Sequence, residues 1–70
     1  MMIEVFKTNV REPKVSRKLI DELTAAFPAS KINFDLDDCD KVLRVEGNDF
    51  CPNRIIEVLK LNGHNCEILI

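Results

Sequence analysis

Two prolines constrain this chain more than any other feature. Pro13 and Pro52 each follow a run that alternates with period two or breaks one, and each precedes a run with helical period. Proline suits the first position of a helix, where its missing N–H costs nothing and its fixed φ is already helical, and it suits the interior of a strand or helix badly. Each proline therefore marks the start of a helix, and the chain reads as two successive strand-helix-strand units.

In the first unit, residues from Met2 to Thr8 set Ile3, Val5 and Lys7 on one side and Glu4, Phe6 and Thr8 on the other, which predicts a strand. A connection through Glu12 leads to a helix from Pro13. Its apolar residues Val15, Leu19, Ile20, Leu23 and Phe27 recur at intervals of three and four, while Lys14, Arg17, Lys18, Asp21 and Glu22 face solvent. Pro28 stops this helix. Ile32, Phe34 and Leu36 then alternate with Asn33, Asp35 and Asp37, the pattern of a strand with one buried face.

The polar turn Asp37-Asp38-Cys39-Asp40 joins that strand to a third, Val42 to Glu46, with Leu43 and Val45 inward. Gly47-Asn48-Asp49 breaks it. From Pro52 a second helix carries the stripe Ile55, Ile56, Val58 and Leu59, and Asn62-Gly63 ends it because glycine adopts the left-handed conformation cheaply. The run from Cys66 to Ile70 closes the chain as a fourth strand. The order βαββαβ, in one domain covering residues 1–70, predicts an α+β ferredoxin-like sandwich: a four-stranded antiparallel sheet with both helices on one face. The other face is expected to carry Glu4, Phe6, Asn33, Asp35, Arg44, Glu46, Glu67 and Leu69. Such a face, apolar residues among charges, suits a monomer or a weak dimer.

A formal net charge of -2 provides no global positive field, which argues against nucleic acid and anionic membrane surfaces as partners. No basic segment followed by an apolar stretch opens the chain, and nothing approaches the ~20 apolar residues of a membrane helix. A soluble cytoplasmic protein, bacterial in style, is expected. Cys39, Cys51 and Cys66 are odd in number and lack a CxxC pair, so they are expected to be reduced thiols that pack as small, half-buried apolar residues.

The second half has a familiar look: Lys31-Ile32-Asn33-Phe34-Asp35-Leu36, then Leu43-Arg44-Val45-Glu46-Gly47, then Ile55-Ile56-Glu57-Val58-Leu59-Lys60 and Asn62-Gly63-His64. It resembles the heavy-metal-associated domains of copper chaperones and metal-pumping ATPases. That family holds a soft cuprous ion between two thiolates of a CxxC loop ahead of the first helix. Counted back from Pro28, the two cysteine positions fall on or near Pro13 and Ser16, neither of which replaces a thiolate. The resemblance therefore implies the fold and no cofactor. An alternative is a displaced copper or zinc site formed by Cys39, His64 and Cys66, whose loops the topology brings to one end of the sheet. Asp37, Asp38 and Asp40 offer oxygen ligands to a hard cation, or form an ordinary solvated turn.

Arg11, Lys14, Arg17 and Lys18, with Lys7 nearby, gather positive charge at the start of the first helix, against the macrodipole. Two readings fit: a docking patch for an acidic partner surface or anion, as the basic patches of metal chaperones are, or a solvated face balanced by Glu12, Asp21 and Glu22. Enzymatic chemistry finds little support. The loop Thr8 to Lys14 lacks the glycines of the acylphosphatase phosphate cradle, the third strand lacks the aromatics on which RNA-recognition domains stack bases, and the sole histidine, His64, has no nucleophile beside it in a strained turn. The sequence thus predicts a non-catalytic interaction or regulatory module, with an atypical metal protein as the alternative.

Overall fold

The computed structural model describes residues 2–69. Its elements are β1 (Met2–Thr8), α1 (Pro13–Ala26), β2 (Lys31–Asp35), β3 (Val42–Gly47), α2 (Pro52–Leu61) and β4 (Cys66–Ile68). The architecture is α+β, with a four-stranded antiparallel sheet in the order β2-β3-β1-β4, so that β1 and β3 lie at the centre and the two shortest strands form the edges. Both prolines take the first helical turn, as their fixed φ dictates. At the end of α2 the Gly63 N–H bonds the Lys60 carbonyl and the His64 N–H bonds the Leu59 carbonyl, both at 3.0 Å, with Gly63 at φ +82°. This double reverse bond is the glycine stop that Asn62-Gly63 predicts.

Three strand limits differ from the sequence reading. β2 ends at Asp35 rather than running on through Leu36, which packs beside the core in the turn instead. β3 extends one residue to Gly47, which pairs with Met2. β4 stops at Ile68, and Ile70, expected to complete it, lies outside the described residues.

The larger correction concerns the phase of β1. Phe6 is fully buried, opposite Leu43 on β3 and Ile68 on β4, and Glu4 sits on the same side opposite Val45. Phe6 and Glu4 therefore belong to the face covered by the helices, and Ile3, Val5 and Lys7 belong to the open face. Alternation alone did not settle the phase, because both sides of β1 carry large apolar residues. What settles it is the pairing: antiparallel partners share a face, and Leu43 and Val45 are committed to the core by the polar residues between them.

The core is built from Phe6, Ile32, Leu43, Val45 and Cys66 on the sheet, Leu19 and Leu23 on α1, Ile55 and Leu59 on α2, and Val10 and Phe50 from connections. Val10 and Phe50 plug the two ends of the sandwich, a role their loop positions concealed. The cysteines depart from expectation in two directions: Cys66 is buried, whereas Cys39 and Cys51 are exposed instead of packed. Among the described residues, no helix is long and apolar enough to cross a membrane.

Candidate functional site

Three connections meet at the end of the sheet where β1 finishes: residues 9–12 before α1, residues 36–41 between β2 and β3, and residues 62–65 before β4. Thr8 ties the first two together. Its N–H donates to the Asp40 carbonyl at 3.1 Å, its Oγ1 donates to the Lys41 carbonyl at 2.6 Å, and the same oxygen accepts the Val10 N–H at 3.2 Å. On the other side the Asn65 N–H donates to Asn9 Oδ1 at 2.9 Å. The β2–β3 turn is internally braced, since the Asp40 N–H reaches Asp38 Oδ1 at 2.8 Å and Lys41, left-handed at φ 48°, sends its Nζ to the Leu36 carbonyl at 2.9 Å.

The basic residues singled out by the sequence stand at this end. Arg11 precedes the helix, and Lys14, Arg17 and Lys18 occupy its first turn and a half; all four are exposed. None of them takes part in an ion pair among the described residues, where the pairs formed are Lys7–Asp40 at 3.8 Å and Arg44–Glu46 at 3.0 Å. Glu22, one turn on and suited to pair with Lys18, instead accepts a 2.9 Å bond from Asn62 Nδ2 of the α2 cap. No acidic residue lies in the first turn of α1, and Glu12 at the N-cap makes no side-chain capping bond. Pro13 and Ser16, where the resemblance would put metal-binding cysteines, are joined to each other: the buried Ser16 hydroxyl donates to the Pro13 carbonyl at 2.8 Å.

The candidate metal ligands are distributed unevenly. Cys39 is exposed, and its sulfur lies with a carboxylate oxygen from each of Asp38 and Asp40 inside a group of donors all within 4.8 Å of one another. His64 is half-buried in the α2–β4 connection, and Cys66 opens β4 opposite Thr8. Neither joins that three-donor group. Burial pushes the Cys66 thiol up to about 12, against the opposing pull of the Lys60 ammonium, so it is a protonated core side chain at neutral pH. An open crevice of about 380 Å³ lies over it, bordered by Lys7, Asn9, Lys60, Asn65 and Glu67. A protonated thiol beneath lysines and amides is neither a nucleophile nor a ready ligand.

The open sheet face was the part most obscured by the sequence, because the phase of β1 decides which residues it shows. Corrected, it exposes Ile3 and Leu69 among charged residues, at 48% and 37% accessibility, rather than Phe6. Comparison with protein-family models, with characterised proteins and with solved structures gives no match to this chain.

Proposed function

We propose that the chain is a non-catalytic protein-interaction or regulatory module, a ferredoxin-like sandwich of heavy-metal-associated type that works in the cytoplasm and docks through the start of α1 onto an acidic surface. The strand order β2-β3-β1-β4 is compatible with that sandwich. Free thiols at Cys39, Cys51 and Cys66 fit a reducing compartment. The observation that carries the docking reading is the set of Arg11, Lys14, Arg17 and Lys18, exposed and without an ion pair among the described residues although Asp21 and Glu22 stand one helical turn away. Like charges at a helix N-terminus oppose the dipole by about 0.3–1 kcal/mol each, and an acidic partner converts that cost into attraction.

The test is an NMR titration of the labelled protein with a short poly-glutamate peptide, alongside the triple variant Arg11→Glu, Lys14→Glu, Arg17→Glu. Amide shifts should concentrate on residues 11–18, fade between about 0.05 and about 0.5 M salt, and vanish in the variant. Shifts that fall elsewhere, or that survive the charge reversal, refute the docking site.

A second reading is an atypical copper or zinc protein that uses Cys39 and His64; Cys39 stands with Asp38 and Asp40 in a three-donor group that His64 does not join, so His64 would have to move to complete the site. Native mass spectrometry of the reduced protein with a competing chelator decides it. One stoichiometric metal that Cys39→Ser or His64→Ala loses supports this reading, and no metal surviving the chelator removes it.

A further inference from the structure

The register of the sheet makes the open face a small grid. Its first row across the strands is Lys31, Glu46 and Ile3; its second is Asn33, Arg44, Val5 and Leu69; its third is Asp35, Val42, Lys7 and Glu67. Lys7, Lys31 and Arg44 are balanced by Asp35, Glu46 and Glu67, so the face is neutral, unlike the basic start of α1. Its apolar residues are contiguous: Ile3 and Val5 follow each other along β1, and the Leu69 N–H donates to the Val5 carbonyl at 2.9 Å, which fixes Leu69 beside Val5. Arg44, the charge at the centre, is already held by Glu46 at 3.0 Å and is directed along its own strand.

We propose that this face binds a second copy of the chain, related by a two-fold axis lying across the strands. Such an axis sets each strand antiparallel over its own copy and exchanges the first and third rows. Val5 and Leu69 then meet their own equivalents, Ile3 covers the aliphatic stem of Lys7, Lys31 faces Asp35 of the second copy twice by symmetry, and Arg44 meets its own equivalent with each guanidinium already paired to Glu46 of its own chain. An axis along the strands does worse, because it sets Asp35 over Glu67 and leaves Lys31 without a partner. The self-complementary placing of Lys31 and Asp35 is what favours a second copy as the occupant and the axis across the strands as its orientation. Four strands spaced ~4.8 Å apart make a face of only a few hundred Å², well under the ~800 Å² per partner of a stable complex, so the association is weak, with Kd in the micromolar to millimolar range. This inference stands apart from the α1 docking site and uses none of its residues.

Sedimentation equilibrium from about 10 µM to about 1 mM reads the monomer–dimer constant. Lys31→Asp and Asp35→Lys should each weaken the dimer roughly 5–10-fold, and the double swap should return it to within about twofold of the native chain, because the symmetric contact is rebuilt with its signs exchanged. Leu69→Lys should weaken it about tenfold or more. All three positions are exposed, so circular dichroism should show these variants folded. Arg17→Glu should leave the constant unchanged. A chain that stays monomeric at the highest concentration overturns the proposal, as does a dimer indifferent to Leu69→Lys, a double swap no stronger than the single variants, or a dimer lost on Arg17→Glu.

Discussion

The phase of β1 can be tested with two substitutions of opposite expected effect. Phe6 is fully buried between Leu43 and Ile68 at the middle of the sheet, so Phe6→Ala removes a whole ring from the core and leaves a cavity. Such truncations cost about 3–5 kcal/mol. A domain of this length holds roughly 4–10 kcal/mol in total, at about 0.05–0.15 kcal/mol per residue, so the variant should lose a large fraction of its stability. Each kcal/mol moves the melting temperature of a small domain by about 4–8 °C, which places the loss above roughly 12 °C, and a urea slope near ~1 kcal/mol/M moves the midpoint by about 3 M or abolishes the folded baseline. Ile3→Thr, on the open face at 48% accessibility, keeps a β-branched side chain and should cost under about 1 kcal/mol. Thermal melts followed by circular dichroism in dilute solution give both numbers. A Phe6→Ala melting point within about 4 °C of the native chain, with Ile3→Thr the damaging change, would show that β1 presents its other face to the helices and would remove the open-face grid with it.

Thr8→Val should cost about 1–3 kcal/mol in chemical denaturation, because it deletes the bond to the Lys41 carbonyl and strands the buried Val10 N–H; a loss below about 0.5 kcal/mol contradicts the clamp. Gly63→Ala should cost about 1–2 kcal/mol, since φ +82° is left-handed, and the open space around a Cβ there means that the penalty is conformational rather than steric. At pH 8 a thiol reagent should modify Cys39 and Cys51 quickly and Cys66 only on unfolding, so three fast thiols would contradict the buried site. Because burial raises the folded-state Cys66 thiol from 9.0 to about 12, its contribution is complete below pH 9 and is lost as pH rises from 9 towards 12; Cys66→Ala should flatten that part of the stability profile.

Element order was legible because its signals are local. Pro13 and Pro52 fix two helix starts, Gly63 fixes an end, and Ile32 and Phe34 alternate cleanly with polar neighbours. The phase of β1 was not, since Ile3 and Val5 on one side compete with Phe6 on the other and only non-local pairing to Leu43 and Val45 decides. The cysteines show the same divide: composition treats the three alike, whereas a position opposite Thr8 buries Cys66 and positions in a tight turn and before α2 expose Cys39 and Cys51. The basic cluster was visible from spacing alone. That it lacks ion pairs among the described residues was not, because Glu22 is drawn away by Asn62, a residue 40 positions later.

The two proposed surfaces are on opposite sides of the sandwich, and their combination has a consequence of its own. A second copy seated on the open sheet face leaves α1 of each chain on the outside, so a dimer presents the Arg11, Lys14, Arg17 and Lys18 cluster twice. A partner with repeated acidic sites then gains avidity, by up to ~10²-fold or more, without any new contact, whereas a single acidic peptide does not. Surface plasmon resonance separates these cases. Leu69→Lys, which weakens the dimer and leaves α1 intact, should lower the apparent affinity for a dense acidic surface and leave that for a monovalent acidic peptide unchanged. Equal losses on both would mean that Leu69 acts through α1 after all, and no loss on the dense surface would mean that the two surfaces do not work together.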